Sequence, residues 1–120
     1  MQTILVVDDV KSEQELISAY LMNAGYQVIT ADNGSEAIAM IKRKKPDLIV
    51  TDLVMPEVTG LELCRLLKKT PSTAEIPIIA CTTKDRKMDK TWAKRQGVAA
   101  YVVKPFQESQ LLTAVRSVQS

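Results

Sequence analysis

Ile4-Leu5-Val6-Val7-Asp8-Asp9 is a run of four apolar residues closed by two acids. Four residues are too few for a helix, and the run is rich in β-branched side chains, so it reads as a strand. Similar runs follow at Gln27 to Ala31, Leu48-Ile49-Val50, Ile78-Ile79-Ala80-Cys81 and Tyr101-Val102-Val103. Their unbroken apolarity predicts strands covered on both faces, the habit of a parallel sheet.

Helical spacing fills the intervals. Leu16, Ile17, Tyr20, Leu21 and Ala24 trace one stripe, and Gly25 stands where the helix would stop. Ala37, Ile38 and Ile41 trace a second, which ends in Lys42-Arg43-Lys44-Lys45 and Pro46. Cations suit the negative end of a helix dipole, so this charge run needs no nucleic-acid partner to explain it. Thr59 and Glu62 have the spacing of a capping box and open a third helix, expected to bury Leu63, Leu66 and Leu67. Pro71 and the polar residues after it form a loop. A fourth helix is predicted from about Asp85 to Gln96, with Met88 and Trp92 on one side and Gly97 at its end. A fifth carries Leu111, Leu112, Val115 and Val118. Five strands alternating with five helices predict an α/β fold, with one parallel sheet, helices on both faces and right-handed crossovers.

The chain has 120 residues and no repeat, low-complexity tract or linker, so residues 1–120 are read as one domain. With 46% hydrophobic and 25% charged residues it belongs with globular chains, not disordered ones. A net charge of +2 is too small to imply a nucleic acid or a membrane. Histidine is absent, which excludes histidine triads, histidine metal sites, a histidine general base and a phosphohistidine donor. Cys64 and Cys81 are too few and too far apart for a metal cluster or disulfide framework, and read as free buried thiols in a reducing cytosol. No apolar stretch approaches the roughly 20 residues that span a bilayer, and no signal-peptide pattern precedes Asp8. A cytoplasmic chain is expected.

Ligands of open α/β sheets bind beyond the carboxyl ends of the strands. Here the first strand ends in Asp8-Asp9, the third in Thr51-Asp52, the fourth in Thr82-Thr83 and the fifth in Lys104-Pro105. Three carboxylates, hydroxyls and one lysine thus share a rim. At about 4 Å and an effective dielectric near 20, one pair of carboxylates repels by about 4 kcal/mol. A hard divalent cation relieves that cost, and an all-oxygen donor set favours Mg²⁺. With the ion and Lys104 counted against the three acids, the charges cancel and the rim is prepared for an anion. A carboxylate can attack phosphorus to give an aspartyl phosphate, with the metal, lysine and a hydroxyl screening the phosphoryl oxygens.

Val6-Val7-Asp8-Asp9, Asp52-Leu53-Val54-Met55-Pro56 with Gly60, Thr82, and Tyr101-Val102-Val103-Lys104-Pro105-Phe106 together resemble the receiver domain of bacterial response regulators, including the stand-alone chemotaxis type, over essentially the whole chain. The resemblance implies a flavodoxin-like receiver fold with strand order 2-1-3-4-5. It implies that Asp52 is the phosphoacceptor and that Mg²⁺ is held by Asp9, by Asp8 partly through water, by Asp52 and by the backbone carbonyl of Val54. Thr82 would be the switch hydroxyl, Tyr101 the aromatic that follows it, and Lys104 the partner of the phosphoryl oxygens, with a cis Lys104–Pro105 bond. A histidine kinase would donate the phosphoryl group and an unidentified protein would receive the signal. Nucleic acid, membrane insertion and oligomerisation have no part in this expectation.

Two departures stand out. Val54 offers no polar handle for a hydrolytic water where many relatives have one, and Thr83 is bulkier than the family's usual residue beside the switch threonine. The stretch from Thr83 to Gly97 is similar to stand-alone receivers of the PilH type, which serve chemotaxis-like control of type IV pili and twitching motility. Trp92 there reads in two ways: packing the fourth helix on the sheet, or joining Lys84, Lys87, Met88, Arg95 and Tyr101 in an output face for an acidic partner.

The expected function is a phosphorylation switch, or alternatively a phosphate sink for the kinase. No enzymatic action on an outside substrate is expected beyond self-phosphorylation and self-dephosphorylation. A flavodoxin-like cofactor carrier would need a phosphate loop where Asp8-Asp9 repels phosphate. An aspartyl-phosphate hydrolase would show Asp-x-Asp where this chain has Asp52-Leu53-Val54.

Overall fold

A computed structural model describes residues 2–55 and 58–119. Pro56, part of the motif after Asp52, lies outside them. Strand β1 (Thr3–Val7) is buried along its whole length and pairs in parallel with β2 (Gln27–Ala31) on one side and β3 (Leu48–Thr51) on the other. Strands β4 (Ile78–Thr82) and β5 (Ala100–Val103) extend the sheet beyond β3, giving the order β2-β1-β3-β4-β5. Strand order therefore reverses between β1 and β3, where this architecture opens a crevice.

Successive side chains of a strand point to opposite faces, and two cores result. Leu5 and Val7 pack with helices α2 (Gly34–Arg43), α3 (Gly60–Lys69) and α4 (Lys87–Arg95) through Ala37, Ile41, Leu63, Cys64, Leu67 and Ala93. Ile4 and Val6 pack with α1 (Lys11–Asn23) and α5 (Glu108–Val118) through Ile17, Leu21, Leu111 and Val115. Asn33 caps α2 and Thr59 caps α3, each accepting the N–H of a glutamate three residues on. Gly25 and Gly97 follow α1 and α4 with φ of 96° and 99°, a backbone that glycine alone adopts at no steric cost.

Several expectations need correction. Strand β2 is an edge strand and only its last residue, Ala31, is buried. Leu16 and Leu66 stand 39% and 45% exposed, while Gln14 and Ser18 share the buried side of α1 and Cys64 that of α3. A side chain on a helix is displaced by 100° per residue, so Leu16 and Leu66 fall just outside the contact stripe. Helix α4 starts at Lys87, two residues after Asp85, and Ala93 is its one buried residue. Met88 and Trp92 do share a side of α4, but it is the outer one, 77% and 47% exposed. Trp92 does not pack the helix on the sheet. Cys64 and Cys81 are free and buried, as expected. No helix among the described residues is long and apolar enough to cross a membrane.

Candidate functional site

Register delivers the polar residues to one rim. Val7 is level with Thr51 across β1 and β3, and Thr82 with Val103 across β4 and β5. The ladder runs one residue further at each strand: the Asp8 N–H donates to Ala31 O (3.2 Å), that of Asp52 to Val7 O (3.1 Å), and that of Lys104 to Thr82 O (2.8 Å). Asp8, Asp52 and Lys104 are therefore fixed by backbone hydrogen bonds at the carboxyl edge of the sheet.

The Lys104 ammonium bridges the two acids, 2.6 Å from Asp8 Oδ2 and 2.9 Å from Asp52 Oδ2. The second oxygen of each acid accepts the backbone N–H two residues on, Val10 to Asp8 Oδ1 (2.9 Å) and Val54 to Asp52 Oδ1 (3.0 Å). Such turns orient each carboxylate before any ligand arrives. The acids differ in access, for the Asp8 side chain is fully enclosed while that of Asp52 keeps 11% of its surface open. Gly60 crowds the same loop. A Cβ built there would lie 2.0 Å from the Asp52 carbonyl oxygen, so only glycine lets α3 start against the end of β3.

Burial pushes the Asp8 carboxyl above its ordinary value, and the hydrogen bonds from Lys104 and Val10 do not fully offset it. Burial also works against the charge of Lys104, but the hydrogen bonds to Asp8 and Asp52 prevail and raise its pKa, so it stays cationic at neutral pH. One buried cation thus faces two buried acids.

Asp9 stands apart from this trio. It is exposed at the rim, and no group of three His, Cys, Asp or Glu side chains close enough to hold a metal ion is formed among the described residues. The expected three-acid cluster is therefore only partly assembled, two acids gathered by Lys104 and one outside. The donors present nevertheless fit a hard divalent cation: all are oxygens, and the buried charge is one positive unit short before Asp9 is added.

Thr82 is fully buried at the end of β4, and its Oγ1 accepts the Lys84 N–H at 3.4 Å. The Tyr101 hydroxyl donates to the carbonyl of the same Lys84 at 2.7 Å. Burial, then Asp89, Asp52 and Asp85, push the Tyr101 phenol up to about 12, which keeps it a donor. The Lys104–Pro105 bond is cis, as the resemblance implied. Lys84, Lys87, Met88, Trp92 and Arg95 are all exposed on the α4 side, with Tyr101 half-buried beside them.

Gln14 is a site residue that the sequence did not announce. Only 2% exposed, it points its amide at Asp8 O (3.2 Å), Ala31 O (3.0 Å) and Asp32 Oδ1 (2.9 Å), tying the loop after β1 to the loop after β2. A polar residue inside an apolar helical stripe was the available signal.

Comparison with known proteins agrees with this fold. Protein PilH of Pseudomonas aeruginosa is 42% identical over 118 residues, 98% of each chain. The chain spans only about a quarter to a half of several longer relatives that it also matches. Among solved structures, the chemotaxis protein CheY4 of Vibrio cholerae superposes with a TM-score of 0.92 at 34% identity, covering 98% of both chains. The Mn²⁺-bound form of response regulator Rcp1 superposes at 0.83 with 25% identity, covering all of this chain and 93% of its own. Residues 4–116 match the response regulator receiver domain, and the chain belongs to that family.

Proposed function

We propose that the chain is a phosphorylation switch whose acceptor is Asp52. In this reading an Asp52 carboxylate oxygen attacks the phosphorus of a phosphohistidine on a partner kinase. The P–O bond forms as the P–N bond breaks, and the imidazole leaves. Water later cleaves the acyl phosphate and returns Asp52 to the carboxylate. The supporting observation is the shared Lys104: it pairs with both acids, yet only Asp52 is open to solvent. Lys104 is then placed to turn from the Asp52 oxygen to an incoming phosphoryl oxygen, a charge-assisted contact that needs no new group.

Asp8, Asp9, Asp52 and the Val54 carbonyl would hold Mg²⁺, which when bound supplies positive charge to the phosphoryl oxygens. Switching is read through Thr82, whose hydroxyl would exchange the long Lys84 contact for a phosphoryl oxygen and free the loop that Tyr101 also holds. The chain then acts on no outside substrate, and its output is a changed affinity for a protein. A role in pilus control in the cytoplasm is part of the proposal and rests on the likeness to PilH. The test is labelling by a small phosphodonor. Mg²⁺-dependent incorporation that Asp52→Asn abolishes is expected, and incorporation that survives the substitution overturns the reading.

A further inference from the structure

A sizeable cleft lies away from the acids, between the C-terminal halves of α2 and α3. Its volume is about 580 Å³, within the range that holds a ligand or an inserted side-chain cluster. Ile38, Ile41 and Leu67 form its floor, with Lys42, Lys45 and Leu66 at its edge. Leu66 is 45% exposed at the lip, so the apolar surface continues outward.

Charge around this groove is lopsided. Residues 37–46 and 63–74 hold seven cations (Lys42, Arg43, Lys44, Lys45, Arg65, Lys68 and Lys69) and no acid, in a chain whose net charge is only +2. The two helix C-termini offset roughly one unit of this in total. Lys68 is spent on the carbonyls of Ala74 and Ile76, Arg65 donates to Gln96 Oε1, and Lys45 reaches across the groove to the Ser72 carbonyl at 2.9 Å. Lys42, Arg43 and Lys44 are exposed with no acid beside them in these two segments. Of the bordering acids, Asp47 accepts the Thr3 N–H and Glu75 is exposed.

We propose that this groove docks an acidic amphipathic helix of a protein partner, and that docking is independent of phosphorylation. The groove is recessed, and Ile41 and Leu67 at its base are 6% and 4% exposed, so only side chains that project into it reach them. That geometry suits side chains at i, i+3 and i+4 of a helix and not a bilayer, which is met by protruding apolar residues. An aliphatic floor likewise lacks the aromatic platforms that nucleic-acid bases stack on. Independence follows from position. The helix C-termini lie where the strands begin, and the four residues of β3 carry the chain about 13 Å to Asp52 at the far edge. The proposal does not depend on Asp52 being the acceptor.

A synthetic 15-residue helix, leucine along one face and glutamate elsewhere, is the probe, titrated into the isotope-labelled chain while amide signals are followed. Shifts confined to residues 38–45 and 66–73 are expected. Leu66→Asp and the pair Lys42→Glu with Lys45→Glu, all at exposed positions, should each weaken binding about tenfold, the 1.4 kcal/mol of one good contact. Asp52→Asn or beryllofluoride should change affinity less than about twofold, since neither alters the groove. No binding, equal binding of a scrambled peptide, shifts centred on α4, or groove signals that answer only to phosphatidylserine vesicles would each overturn the proposal.

Discussion

Tyr101 donates its hydroxyl to the Lys84 carbonyl at 2.7 Å, while the N–H of Lys84 leans on Thr82 at 3.4 Å. The backbone of one residue, Lys84, thus connects the end of β4 to a side chain of β5. Tyr101→Phe removes the shorter bond without altering the ring. Global stability should fall by only about 1 kcal/mol, the net worth of one hydrogen bond. The expected signature is optical: Trp92 emission in the unactivated variant moves toward the value that beryllofluoride with Mg²⁺ induces in the parent. Parent and variant spectra that coincide in both states contradict the coupling.

Asp8 carries a pH dependence of known sign. In the unfolded chain it ionises near 3.8, whereas burial in the fold holds its proton to higher pH. Between those two values the folded state binds more protons, so rising pH removes stability. At neutral pH the ionised group is a liability, and Asp8→Asn should stabilise the metal-free fold. Urea unfolding from pH 4 to 8 should show the decline in the parent and a flatter profile in the variant. Mg²⁺ at ten times its dissociation constant should add about 1.4 kcal/mol to the parent alone, and a chelator should reverse it.

Replacing glycine by alanine within a helix usually helps by up to about 1 kcal/mol. At position 60 the sign reverses, because the new methyl would sit 2.0 Å from the Asp52 carbonyl oxygen and 2.8 Å from the Leu53 Cα. Gly60→Ala should cost about 1–3 kcal/mol, the usual range for overpacking, and slow phosphoryl uptake at Asp52. Thermal unfolding unchanged from the parent would show that the loop yields freely.

Gln14→Leu keeps the bulk of a buried residue and deletes its donors. The Asp8 carbonyl loses its side-chain partner, while that of Ala31 keeps the Asp8 N–H, so the cost is about 1–3 kcal/mol for one buried group left unsatisfied. Mg²⁺ affinity should fall about tenfold because the turn bearing Asp8 and Asp9 loses its brace, in line with outer-shell substitutions at metal sites. Titration of the variant that reproduces the parent isotherm would reduce Gln14 to a packing role.

Apolar runs located all five strands because the central ones, β1, β3 and β4, are buried along their whole length, and the edge strands β2 and β5 keep enough apolar residues to be seen beside them. Helix faces were less legible. Leu16 and Leu66 look like core residues by type, yet the contact stripe is decided by crossing geometry, which one sequence does not carry. Helix α4 misled more strongly, since a single alanine fixes it and its large apolar residues face out. The rim was readable because Asp8, Asp52, Thr82 and Lys104 each end a strand. Which acids Lys104 would bind was not, for the pairing spans 96 and 52 residues of chain.

Fastening α4 by one methyl group has an evolutionary consequence. Substitutions at the exposed Met88, Trp92 or Arg95 do not touch the one buried residue of α4, so in the proposed switch the protein that reads this helix can drift while the chemistry at Asp52 stays fixed. Duplicated copies of such a chain can therefore be insulated from one another by changing a few outward residues, with no compensating repair inside.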